Sequence, residues 1–188
     1  MNAEPADPDH ELMRRVAQGD EAAFTELVGK YKMPLHAFVY RMLNDAEEAD
    51  DVTQETFIRL YRTADLYQPR AKFTTWLFAI ANNLATDRLR KRVRRSTIVG
   101  EKAEKRLEKT PDRHGDPSQA LGRGEQAAAV QRAIGELPPD QRTALVLYEY
   151  EELSYAEIAE VMHCSVKSVE ARLYRAKEFL RRKLAKWL

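Results

Sequence analysis

Residues 154–180 read SYAEIAEVMHCSVKSVEARLYRAKEFL, and their spacing predicts two helices joined by a tight turn. Ser154 followed three residues later by Glu157 is the pattern of a capping box, in which each side chain satisfies a backbone N–H that the first helical turn leaves open. Ile158, Ala159, Val161 and Met162 supply the inner face of this short helix, and Ala159 is small enough for a second helix to cross closely. His163-Cys164 makes the turn; His163 stands where glycine is common, and histidine tolerates the left-handed backbone such a turn needs. Ser165 then caps a longer helix whose Val169, Leu173, Ala176 and Leu180 recur at spacings of four, three and four. The pattern is a helix-turn-helix. With that stripe turned inward, Lys167, Ser168, Ala171, Tyr174 and Arg175 face outward, where the N-terminal half of a second helix meets base edges in a DNA major groove. Arg172 opens a basic stretch in which Arg181, Arg182, Lys183 and Lys186 trail along phosphates. A plain helical hairpin without a nucleic-acid role has the same spacing.

Working outward, a helix over 125–134 is followed by a break at Leu137-Pro138-Pro139 and a restart over 140–150, where proline's missing N–H is harmless in a first turn. Residues 98–124 differ in kind: Pro111, Gly115, Pro117, Gly122 and Gly124 with few large apolar residues read as a flexible linker, with at most a transient helix over 101–109. Upstream lies KFTTWLFAIANNLATDRLRKRVRR (72–95), an aromatic block that runs into six basic side chains within 88–95. One helix carries both halves. Phe73, Trp76 and Phe78 offer flat faces for stacking unpaired bases, Asn82 and Asn83 offer amides for base edges, and Arg88, Arg90 and Lys91 begin a phosphate rail. Leu77, Ile80, Ala81 and Leu84 fall at helical spacing and read as core, an assignment that also fits Trp76. The basic run resists such a structural explanation, because crowded like charges repel unless an anion is present. Before it, Phe24, Leu27, Val28 and Tyr31 mark an amphipathic helix, and Leu35, Phe38, Val39 and Met42 continue the pattern beyond Pro34. Asn44 and Asp45 punctuate, and a third helix starts near Ala46. The expected organisation is therefore all-α: an N-terminal unit over 9–97, a linker over 98–124 and a C-terminal unit over 125–188, the two units moving semi-independently.

Composition narrows the function. The 188 residues are 44% hydrophobic and 32% charged, with seven glycines and eight prolines, which suits a folded helical chain. One cysteine, Cys164, excludes an internal disulfide and a cysteine-based zinc cluster. The N-terminus MNAEPADPDH has neither a basic start nor an apolar stretch, and no apolar run reaches membrane-spanning length, so a soluble cytoplasmic protein without membrane insertion is expected. G-x-x-x-x-G-K and H-E-x-x-H are absent, and His10, His36, His114 and His163 lie in unrelated settings, so no active site, metal or cofactor is expected. A net charge of +1 is low for a DNA binder, but the acids gather at 47–55 and the bases at 88–95 and 172–186.

Four stretches in order, FTELVGKYKMPLHAFVYRML, EEADDVTQETFIRLY, FTTWLFAIANNLATDRLRKRVRR and LPPDQRTALVLYEYEELSYAEIAEVMHCSVKSVEARLYRAKEFL, resemble the extracytoplasmic-function sigma factors of bacterial RNA polymerase over nearly the whole chain. The resemblance implies a first domain that binds core polymerase and the melted minus-ten element, and a second that binds the duplex minus-thirty-five element. It further implies that Asp50, Asp51, Gln54 and Glu55 dock on a basic polymerase surface, and that the segment with Tyr67, Arg70 and Lys72 receives a flipped minus-ten base flanked by Asn83 and Asp87. Control by an anti-sigma factor is implied as well. The sequence departs from many relatives at Glu170 and Ala171; Glu170 accepts from a cytosine amino group or pairs with Lys167 or Arg175, and the pair is favoured. The alternative function is an autonomous helix-turn-helix regulator with an N-terminal partner-binding domain.

Overall fold

Asp7 is the N-cap of the first helix, its carboxylate accepting from Asp9 N at 3.0 Å, and Pro8 takes the first helical position. The computed structural model describes residues 7–69, 71–99 and 117–185, without the side chains of 96–99 and 117–124. Within these, eight α-helices follow one another, with no strand among the described residues: α1 (Pro8–Ala17), α2 (Glu21–Leu43), α3 (Ala46–Arg62), α4 (Phe73–Val99), α5 (Pro117–Gly135), α6 (Pro139–Glu149), α7 (Tyr155–Val161) and α8 (Val166–Lys183). A 3₁₀ turn over Ala64–Leu66 leads from α3 toward α4.

Local chemistry sets most boundaries. Gly19, at φ 85, ends α1 with a pair of C-terminal hydrogen bonds, Gly19 N to Val16 O and Asp20 N to Arg15 O. Asp20 and Asp45 cap α2 and α3, while Asn44, at φ 52, closes α2 in left-handed backbone. The two apolar patterns around Pro34 form one helix; Pro34 lies on the exposed face of α2, where a missing N–H does not bury an unpaired carbonyl. A larger departure is α5, which begins at Pro117 rather than near Glu125. Gly122 and Gly124, expected to belong to the linker, are helical: a glycine costs only about 1 kcal/mol in a helix interior, and Pro117 suits the first turn. The transient helix anticipated over 101–109 lies outside the described residues.

Phe38, Phe73, Met13, Leu27, Leu35, Met42, Leu60 and Leu77 fill the N-terminal half, and Ile134, Leu137, Leu147, Ile158, Val161 and Val169 the C-terminal half. These form one contiguous apolar cluster. The two units therefore pack together, with α2 against α5 and α6 and α4 against α6 and α7.

Candidate nucleic-acid interface

The helix-turn-helix is built as its sequence directs. Ser154 Oγ accepts from Glu157 N at 3.3 Å, and Glu157 Oε2 accepts from Ser154 N at 2.7 Å, completing the capping box. His163 takes φ 49 in a Schellman turn, with His163 N bonded to Glu160 O and Cys164 N to Ala159 O. Val169, Leu173 and Ala176 are buried and Leu180 packs at the edge, as the four-three-four spacing requires. Lys167, Tyr174 and Arg175 are exposed, Tyr174 at 69%; Ser168 and Ala171 are half-buried. Arg172 behaves differently: its Nε donates to Asp140 Oδ2 at 3.1 Å and its Nη1 lies 2.9 Å from Cys164 Sγ, so it braces the turn against α6. Glu170 is exposed and makes no ion pair with Lys167 or Arg175, contrary to the favoured expectation. Residues 170, 167 and 175 share a face, but all three side chains stay in water, where such pairs contribute little.

On α4 the aromatic block divides. Phe73 is 0% and Phe78 3% exposed, both inside the core, so the stacking role expected of them is corrected to packing; Tyr31 and Phe38 occupy their faces at centroid distances of 5.1 and 5.2 Å. Trp76 remains partly exposed beside Tyr67, 5.0 Å away. Asn82 is also turned inward, 8% exposed, with its Oδ1 accepting from Thr143 Oγ1 at 3.0 Å across the two units. Asn83, Asp87, Arg90 and Lys91 are exposed and Arg88 is half-buried. Asp87 lies 3.7 Å from Arg90 on the same helix. Arg92 leaves the rail: it pairs with Asp45 and Glu48 and donates to Leu43 O at 2.8 Å, fastening α4 to the junction of α2 and α3. Arg70 lies outside the described residues. Lys72 pairs with Glu157 of α7 at 2.8 Å. Burial opposes it, but the hydrogen bonds from Lys72 and Ser154 hold the Glu157 carboxyl below its ordinary value.

The acidic face of α3 points outward. Asp50, Asp51 and Gln54 are exposed, with Val52, Phe57 and Leu60 buried on the opposite side. Asp50 lies 3.2 Å from His36 Nε2 on α2, and Glu55 accepts from Arg59 Nε at 2.9 Å.

One organising residue carried no helical periodicity to reveal it. Arg142 on α6 is 7% exposed and donates to Met42 O of α2, to Gly135 O at 2.5 Å and to Leu137 O at 3.1 Å. Burial, with the charge of Arg92, lowers its pKa to about 10, which still leaves it protonated near neutrality. The guanidinium of Arg41 on α2 sits 3.9 Å over the Tyr150 ring at the end of α6. A cleft of about 870 Å³ opens between α4 and the C-terminal unit, lined among others by Asn82, Asn83, Asp87, Arg90, Asp140 and Arg172.

A helix-turn-helix joined to an amide- and arginine-bearing helix defines a two-part DNA-binding protein. Comparison gives the family. Sigma-70 region 2 matches residues 27–95 and Sigma-70 region 4 matches residues 127–180. The chain is 41% identical over 181 residues to the RNA polymerase sigma-H factor of Pseudomonas aeruginosa, covering 90% of each. It is 35% identical over 176 residues to the ECF RNA polymerase sigma factor SigW of Bacillus subtilis, covering 92% of this chain and 94% of the relative. Among solved structures, CnrH in complex with the cytosolic domain of CnrY superposes with a TM-score of 0.69 at 27% identity, covering 97% of this chain and 99% of that one. The Bartonella quintana sigma factor RpoE, in complex with the anti-sigma factor NepR, shares the fold, with a TM-score of 0.73 at 22% identity and coverage of 86% and 96%. The chain belongs to the extracytoplasmic-function sigma factors of bacterial RNA polymerase.

Proposed function

We propose that this sigma factor recruits core polymerase through Asp50, Asp51, Gln54 and Glu55 of α3, reads the minus-ten strand with α4 and the segment before it, and reads the minus-thirty-five duplex with α8. What carries the reading is the coincidence of region 2 and region 4 with outward-facing sets of fitting chemistry: carboxylates on α3, Asn83, Arg90 and Lys91 on α4, and Lys167, Tyr174 and Arg175 on α8. Exposed carboxylates attract a basic partner surface and speed association. An amide on an exposed helix face suits unpaired base edges, and arginines beside it suit backbone.

The two DNA elements bear on the closed packing. Duplex rises about 3.4 Å per base pair, so sites some twenty base pairs apart lie on the order of 70 Å from each other, whereas α4 and α7 touch. Engaging both elements therefore requires the halves to part. The 17 residues between Val99 and Pro117 reach at most about 60 Å when extended, enough with the helix lengths to cover that span. The solved RpoE carries the anti-sigma factor NepR and the solved CnrH the cytosolic domain of CnrY, and an anti-sigma factor holding the halves together is the corresponding control for this chain. Polymerase performs the nucleotidyl transfer; this chain supplies recognition, in the cytoplasm where polymerase works. No helix among the described residues is long and apolar enough to cross a membrane.

Run-off transcription with purified core polymerase on genomic fragments tests the reading. Discrete promoter-dependent transcripts are expected, with no tight duplex binding by the protein alone. Tight sequence-specific binding without polymerase would favour an autonomous regulator instead.

A further inference from the structure

The start of α1 grips both ends of the segment that precedes α4. Asp7 Oδ1 accepts from Asp9 N at 3.0 Å, and the same carboxylate's Oδ2 accepts from Phe73 N at 2.9 Å, so one side chain caps two helices that begin 65 residues apart. A carboxylate there also favours both helix dipoles. Three residues on, His10 Nδ1 lies 2.5 Å from the Tyr67 hydroxyl, and the two rings lie 5.8 Å apart. Tyr67 in turn leans on Trp76 at 5.0 Å and Phe73 at 6.3 Å. Burial, with the charges of Asp7 and Asp9, pushes the Tyr67 hydroxyl up to about 12, so it keeps its proton at working pH. The grip is itself anchored: Asp9 is buried, paired to Lys30 at 2.6 Å and hydrogen-bonded by the Tyr31 hydroxyl of α2.

We infer that Asp7 and His10 are positioning residues for minus-ten recognition, holding Tyr67 and the first turn of α4 so that the half-exposed Tyr67–Trp76 wall stands ready for an extruded base. The inference rests on the assignment of strand reading to this part of the molecule. Extruding a base costs a few kcal/mol, and ordering a backbone residue costs about 1–2 kcal/mol. A wall already fixed at both ends adds little of the second cost to the first. Neither Asp7 nor His10 has a place in the polymerase face of α3; His10 acts through Tyr67, and Asp7 through Phe73 N and the start of α1.

The test uses the full chain with core polymerase. His10→Leu, His10→Gln and Asp7→Ala are compared with Tyr67→Ala and Asn83→Ala as controls. Helicity, polymerase affinity and open-complex formation are measured on a panel of pre-melted templates with single-base minus-ten changes. Expected is a fall of about fivefold or more in base preference for His10→Leu and Asp7→Ala, the scale of one lost base contact, with polymerase affinity unchanged in both and helicity unchanged in His10→Leu; Asp7→Ala, which also removes two helix caps, should lose a little helicity. Glutamine restores a hydrogen-bonding partner for Tyr67, so His10→Gln should recover most of the preference. If the controls lose preference while His10→Leu and Asp7→Ala keep it, the inference fails and the strand-reading assignment stands. If the controls also keep full preference, that assignment fails and takes the inference with it. A parallel loss of polymerase affinity and helicity in His10→Leu, unrelieved by glutamine, would reduce the grip to a structural one and overturn the inference.

Discussion

Adjacent helical residues point about 100° apart, and that angle separates Asn82, whose amide oxygen accepts the Thr143 hydroxyl, from Asn83, which stands in solvent. Their substitutions should therefore fail differently. Asn83→Ala should flatten preference among minus-ten variants with stability unchanged, because an exposed amide contributes to recognition and little to folding. Asn82→Ala should instead lower stability by about 1 kcal/mol, since it removes a buried hydrogen bond between the two units while the Thr143 hydroxyl keeps Pro139 O, 3.0 Å away, as an acceptor. Melting curves alongside open-complex assays on the same panel separate the two, and full base preference in Asn83→Ala would end its assignment. Glu151 offers a second residue-level test. Burial pushes its carboxyl up to about 7 from an ordinary 4.5, with Arg41 opposing. Between those values the folded protein holds a proton that the unfolded chain has released, so this residue's contribution to stability declines as pH rises from about 4.5 to 7 and stays low above. Glu151→Gln should flatten that part of the pH profile. Urea midpoints across the window check it, and parallel profiles for the two proteins would show that Glu151 is solvated.

Single faces of α3 and α4 each make a prediction. Charge reversal at Asp51 and Glu55 to lysine should weaken core-polymerase capture at least tenfold while leaving the fold intact, as exposed carboxylates steer partners more than they stabilise helices. Unchanged capture by the folded double variant would remove α3 from the interface. On α4, Arg90→Ala should reduce opening on every promoter and lower the slope of log affinity against log salt by about 0.7–0.9, the counterions released by one phosphate contact. A sequence-dependent loss would point to base reading instead. Elements with local punctuation were legible in the sequence. Ser154, Glu157, Ser165 and the Leu137-Pro138-Pro139 break announce α6, α7 and α8, because caps and proline act within one turn. The first eight residues of α5 were not, since Gly122 and Gly124 read as breakers when a helix tolerates them. Of the candidate site, the outward set on α8 followed from periodicity and the set on α3 was singled out by the family resemblance, whereas the inward placement of Phe73, Asn82 and Arg172 followed from neither. Their partners Tyr31, Thr143 and Asp140 are 42, 61 and 32 residues away, and no short-range pattern encodes such pairings. Asp7 and His10 escaped for the same reason.

At the scale of the molecule, the question is what keeps two DNA-binding halves closed. Apolar contact is part of the answer, because one cluster runs through both. Arg142 is the polar part: a buried guanidinium held to Gly135 O and Leu137 O within its own half that also donates across to Met42 O of α2, the one bond of the three that separation breaks. Removing one partner from a buried charged hydrogen-bond set typically costs about 3–5 kcal/mol, and Arg142→Leu leaves the carbonyls of Met42, Gly135 and Leu137 without this donor. Arg142→Leu should lose its hold on α2 and loosen the turn between α5 and α6, while the apolar core keeps each half folded. Thr143→Val is the narrower companion, removing only the hydroxyl that meets Asn82. A compact chain of this length has a radius of gyration of about 16 Å, and solution scattering should place the free wild-type protein near that value. Arg142→Leu should expand by several ångströms and split a single thermal transition into two, with Thr143→Val between the variant and wild type. Open halves also make Asn82 accessible, so both variants should show stronger strand capture on pre-melted templates, in proportion to the open fraction. If Arg142→Leu remains as compact as wild type and melts in one transition, apolar packing alone closes the molecule, and the guanidinium merely caps the end of α5.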